Sequence, residues 1–169
     1  MVRSSPGELE WVHDKVQEAA LSLSDLVTPW FQYLIGHCLY EGLSESQLER
    51  RLFDVVDLIN KGNTTESIDH AALNLRAAEK ARKMAAFQSG ARYVANGIQQ
   101  LPDRRWTIHR QLTLDLYSLG AEMNMAVGNN ERAKEYIEEV LDRKKYTAIE
   151  TMHLKMMKVT ILQSVEPPC

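Results

Sequence analysis

With 169 residues, 44% of them hydrophobic and 25% charged, the chain has the composition of a soluble globular protein and enough length for one packed domain or a short solenoid. A formal net charge of −3, a sequence pI near 6.0 and the lack of any block of about five or six like charges exclude a general attraction to nucleic acid. No apolar run approaches the roughly 18 residues of a membrane span, so neither nucleic acid nor membrane is an expected partner.

Cys38 and Cys169 are the only cysteines and make no secreted disulfide framework. The opening MVRSSPGELEW lacks the apolar core of a signal peptide, and a cytoplasmic location is expected. After this polar lead, Leu9, Val12, Val16 and Ala19 recur at steps of three and four, which predicts a helix from Glu8 to Leu21. A second helix should begin with Pro29 in its first turn, where the missing N–H costs nothing, and run to about Tyr40. Trp30, Leu34, Ile35, Cys38 and Leu39 make it too apolar for a solvated element, so it is expected to be buried.

Gly42 stops that helix, and Ser44 to Gln47 has the spacing of a reciprocal capping box. The third helix carries Leu48, Leu52, Val55 and Ile59 on one face and ends at Lys61-Gly62. Asn63, with Glu66 three residues on, is the expected cap of the fourth.

From Ala71 to Pro102 the chain reads as two short helices packed by small residues, and the pattern recurs. A shift of 43 residues carries Ala78 to Ala121, Gly90 to Ala133, Val94 to Ile137 and Gly97 to Val140. Each copy runs as a helix A, a turn and a helix B, the tetratricopeptide order, in which helices approach closely only where side chains are short. In the first copy Ala78 and Ala81 mark helix A, and Gly90, Val94 and Gly97 mark helix B. In the second, Leu112, Leu116, Leu119 and Met123 form the stripe of helix A and Gly128-Asn129-Asn130 is the turn. Because such repeats run about 34 residues, the copies are tetratricopeptide-like, and the extra length at Asp103 to Gln111 is expected to lengthen the second helix A. A last helix from about Thr147 to Gln163 carries Ile149, Met152, Met156 and Val159 and stops before Pro167-Pro168. No run of alternating β-branched residues proposes a strand. The expectation is an all-α fold of antiparallel helix pairs stacked as a short tetratricopeptide-like superhelix.

Motifs that carry chemistry are missing from the sequence. None of the eight glycines begins the pattern of closely spaced glycines followed by Lys and Ser or Thr with which backbone donors wrap phosphates. His13-Asp14 is the pair used by helical metal phosphohydrolases, but no histidine precedes it. Glu150 and His153 have the i, i+3 spacing of di-iron bundles, which need a second copy and two further glutamates. The chain by itself is therefore expected to be no enzyme and to hold no cofactor and no metal. Arg104-Arg105 and Arg143 to Lys145 are short basic clusters at helix ends, where cations suit the backbone dipole.

The segment Trp11-Val12-His13-Asp14-Lys15-Val16-Gln17-Glu18-Ala19-Ala20 resembles the end of the ATPase region in large multidomain signalling proteins, those with a serine/threonine kinase domain, a signal-transducing AAA-type ATPase, helical repeats, a GAF domain and often a histidine kinase. The likeness continues through Tyr33 to Gly36, Leu48 to Val56, Leu58 to Gly62 and Ala85 to Pro102, covering roughly residues 8–145; Leu21 and Pro29-Trp30 depart from it. What the resemblance implies is the junction and helical arm that follow such an ATPase, with residues 1–24 as the junction helix, 25–62 a helical pair, 63–145 two repeats and 146–169 the first helix of an incomplete further repeat. The chain would then be a non-catalytic interaction and signal-transmission module, either a fragment of an ATP-dependent kinase or a free-standing adaptor. Its partner would be protein: adjacent ATPase, kinase or sensor domains, or a separate chain. Helix register places Tyr93, Asn96, Gln100, Tyr117, Asn124 and Tyr136 on the face expected to meet that partner. Self-association through the apolar faces of the terminal helices is also expected.

Overall fold

The computed structural model describes residues 28–62, 66–143 and 146–165. The helix read at Glu8 to Leu21, His13-Asp14 and the cap at Asn63 lie outside the described residues. Within them the chain is all-α, with helices joined by turns and no strand. It divides into two compact units, Met1–Asn63 and Thr64–Cys169.

In the first unit α1 (Pro29–Gly42) packs on α2 (Glu45–Gly62). Thr28 caps α1, its hydroxyl accepting from the Phe31 N–H at 3.2 Å, with Pro29 in the first turn. At Ser44 the box differs from the expected one: Gln47 Oε1 accepts from the Ser44 N–H at 2.9 Å, and the Ser44 hydroxyl donates to that same oxygen. The stripe Leu48, Leu52, Val55 and Ile59 is buried, joined by Val56. Gly36 lets α1 approach closely, since a Cβ there would lie 2.9 Å from the Ile59 nitrogen. The expected burial of α1 is not observed. Gly36 is its one buried residue, and Trp30 (64% exposed), Phe31, Leu34 and Ile35 face outward, because α1 is apolar around most of its circumference and α2 covers a single side.

In the second unit α3 (Ile68–Lys83) packs on α4 (Phe87–Gln99), and α6 (Arg110–Ala126) packs on both and on α7 (Asn130–Leu141). Ser67 caps α3, accepting from the His70 N–H. All eight residues paired by the 43-residue shift are buried: Ala78 and Ala121, Gly90 and Ala133, Val94 and Ile137, Gly97 and Val140. The turns repeat as well. Ala86 N–H donates to the Ala81 carbonyl at 2.8 Å and Ala85 N–H to Arg82 at 3.0 Å; Asn129 N–H donates to Asn124 at 2.8 Å and Gly128 N–H to Met125 at 3.0 Å. Both are Schellman ends, each needing one left-handed residue, which Gly128 (φ 79°) and Ala85 (φ 55°) supply.

The extra length between the copies does not lengthen helix A. It forms a separate one-turn helix, α5 (Arg105–Ile108), and the break falls at His109 (φ −114°, ψ 42°). The Thr113 hydroxyl donates to the His109 carbonyl at 2.8 Å and lies 3.2 Å from that of Arg105, so it bridges the two sides of the break. The last helix, α8 (Met152–Val165), follows a turn at 147–151 in which Thr147 and Glu150 cap each other, and it packs on α6 and α7 through Leu154, Met157 and Ile161.

Candidate interaction groove

The break at His109 has a consequence for the surface, because it sets α5 beside the tyrosines of α6 and α7. Ile98 of α4, Arg105 of α5, Tyr117 of α6 and Arg132, Glu135, Tyr136 and Glu139 of α7 line a cavity of about 280 Å³. Tyr117 and Tyr136 meet edge to face, with centroids 5.5 Å apart and planes at 79°. Trp106 lies 5.0 Å from Tyr117 and extends the aromatic run to Tyr146 at 6.2 Å. Guanidinium groups cover the outer faces of these rings, Arg132 at 4.8 Å over Tyr136, Arg143 at 5.1 Å over Trp106 and Arg110 at 4.6 Å over Tyr146.

The groove carries both signs of charge. Arg132 pairs with Glu135 at 2.6 Å and Arg143 with Glu139 at 2.7 Å, each within one turn of helix and well exposed, so each pair is weak and open to exchange. The hydrogen bonds that Arg132 donates to Glu135 and Tyr136 raise its pKa above the ordinary value. Burial raises that of the Tyr117 hydroxyl, with Arg105 opposing, so this phenol stays neutral and able to donate at physiological pH. The Trp106 indole N–H and the Arg105 Nε are buried and have no hydrogen-bond partner among the described residues. Buried donors of this kind call for a water or a ligand acceptor.

Of the six residues placed by register on a partner face, Tyr117 and Tyr136 meet in this groove. The others lie apart from it. Gln100 is buried and its Oε1 accepts from Asn74 Nδ2 at 3.0 Å; Asn124 is buried and donates to the Gly120 carbonyl at 2.8 Å. Tyr93 is buried with Arg92 over its ring, and Asn96 is half-buried. Helix register alone does not point to Arg105, Trp106 or Arg132. The i, i+4 spacing of Arg132 and Tyr136 is a sequence signal for that pair on α7, whereas Arg105 and Trp106 depend on α5.

A second cavity, about 200 Å³, is lined by Glu79, Arg82, Asp115, Ser118, Glu122 and His153 among others, with Arg82 paired to Glu122 at 3.1 Å. Glu150 turns away from His153 to bind Arg110 with both oxygens, at 2.8 and 2.9 Å. No group of three or more His, Cys, Asp or Glu side chains suited to a metal occurs among the described residues. No described helix is long and apolar enough to cross a membrane. Comparison with protein-family models, with curated proteins and with solved structures finds no match for the chain.

Proposed function

We propose that the chain is a non-catalytic, tetratricopeptide-like interaction module whose helix pairs stack as a short superhelix, and that it binds a peptide segment of another protein in the groove between α4 and α7. The observation that carries this reading is the repeated hairpin: two Schellman ends with matching hydrogen bonds, and two sets of buried small residues, 43 residues apart. Helical hairpins repeated in this way present a continuous surface, and here that surface holds edge-to-face tyrosines and the guanidinium groups of Arg105 and Arg132. A peptide suited to it brings a planar or apolar side chain to Tyr117 and Tyr136 and an acceptor to the guanidinium of Arg105. With the resemblance to the helical arm of signalling ATPases, the reading extends to transmission between such an ATPase and its output domains.

Selection of a displayed peptide library against the full chain, followed by anisotropy titration of the selected peptides, tests the reading. Saturable binding should fall about tenfold, the equivalent of about 1.4 kcal/mol, in Arg105→Ala and in Arg132→Ala. Selected peptides indifferent to both substitutions would remove the groove from the account, and saturable binding of ATP with magnesium by calorimetry would remove the non-catalytic reading.

A further inference from the structure

The helix α8 is apolar on two faces, and the structure covers one. Leu154, Met157 and Ile161 are buried against the preceding helices, and Lys158 reaches Glu138 of α7 at 3.1 Å. Met152, Met156 and Val159, spaced four and three apart, are 58, 63 and 52% exposed, with Lys155 beside them. The same molecule shows twice what belongs on such a face. On α3 the positions Ala71, Asn74 and Ala78 are covered by α4, whose Gly97 lies against Asn74 and the Ala71 carbonyl and whose Gly90 lies near the Ala78 carbonyl. On α6 the positions Leu114, Tyr117 and Ala121 are buried, with Tyr117 against Tyr136 of α7. Met152, Lys155 and Val159 have the same three-then-four spacing, opposite a buried stripe, on the next helix of the series.

We infer that the outer face of α8 is a docking surface for an amphipathic helix of a partner protein, one with the small and aliphatic stripe of α4 and α7 and with a carboxylate placed to meet Lys155. The covering helices in this molecule set that stripe, Gly90, Val94 and Gly97 in one and Ala133, Ile137 and Val140 in the other. Charge sets the rest. Helix α8 contains Lys155 and Lys158 and no acidic residue, and Lys155 has no ion-pair partner among the described residues. A second copy of α8 would bring lysine to lysine and would offer methionine where the covering helices begin their stripe with glycine or alanine, Gly90 and Ala133. An acidic helix with a small-residue stripe satisfies both requirements.

The inference rests on the repeat reading above, and its test is confined to α8. The probe is a fluorescein-labelled peptide of residues Asn129–Arg143, whose acidic side chains outnumber its basic ones, stapled helical on the side away from Ala133, Ile137 and Val140. Titrated with the full chain, it should give a saturable rise in anisotropy. Val159→Asp, at an exposed position, should weaken it at least about tenfold, and Lys155→Glu several-fold, with recovery when the peptide glutamates are exchanged for lysine. Arg105→Ala, in the groove, should leave it unchanged, which separates failure here from failure of the groove. No binding, or binding indifferent to Val159→Asp, would overturn the inference. So would a concentration-dependent dimer in light scattering that Val159→Asp dissolves, since a second copy would then cover the face.

Discussion

Ala85 is an alanine in a left-handed turn that its counterpart Gly128 occupies without strain. For an L residue with a Cβ that conformation costs roughly 1–2 kcal/mol, against about 0.5–1 kcal/mol of extra chain entropy lost by glycine. Ala85 is exposed and packs nothing, so Ala85→Gly should stabilise the chain by up to about 1 kcal/mol, raising its melting temperature by roughly 2–4 °C. A lowered melting temperature would mean that the turn is not held as described. Gly97 and Gly90 respond differently to a side chain. A Cβ at Gly97 meets Leu116 at 2.8 Å, the Asn74 Cβ at 3.1 Å and the Ala71 carbonyl at 3.3 Å, whereas at Gly90 it meets the Met123 sulfur at 2.8 Å, the end of a flexible side chain. Helix propensity favours alanine over glycine by about 1 kcal/mol, enough to offset a methionine shift and too little to move a helix. Gly90→Ala should therefore be close to neutral and Gly97→Ala destabilising, while leucine at position 97 should cost about 1–3 kcal/mol by overpacking. Equal effects of the two alanines in thermal unfolding would contradict the packing.

At the scale of elements, the turn before α8 is held by one carboxylate. Glu150 accepts from the Thr147 N–H at 2.7 Å and the Thr147 hydroxyl at 2.8 Å while binding Arg110, and these contacts, the backbone bond first, lower its pKa. Because the folded-state pKa is depressed, the stabilisation is complete above the ordinary carboxylate range and is lost as pH falls through the lower folded value. The difference in melting temperature between wild type and Glu150→Gln should be largest near pH 7 and vanish on acidification; a difference independent of pH would show that the charge plays no part. Much of this scale was legible in the sequence. The stripes of α2 and α6 follow from apolar spacing, and Gly128 announces its own turn. Ala85 could not be read, since alanine gives no left-handed signal and only the geometry of the second copy reveals it. The helix α5 could not be read either, because Arg105 to Ile108 continues a helical pattern whose break at His109 is set by backbone angles and the Thr113 hydroxyl. The burial expected of α1 failed for a related reason: apolar composition reports what a helix needs covered, and within its own unit α2 covers a single side of it.

For the whole molecule, the all-helical class and the repeated pair follow from periodicity and small residues, while the groove arises only when elements distant in sequence converge. Tyr117 and Tyr136 could be chosen by register, but so could Gln100 and Asn124, whose polar groups turn inward to Asn74 and to the Gly120 carbonyl. Register places a residue on a face and does not say whether its polar end finds a partner inside. The central claim, that this chain binds a protein segment between α4 and α7, is tested most directly by amide hydrogen exchange of the full chain with and without a selected peptide. Exchange should slow on binding in Arg105–Ile108 and in the first turns of Asn130–Leu141. Protection confined to other elements, or saturable binding with no change around Arg105 and Arg132, would contradict it.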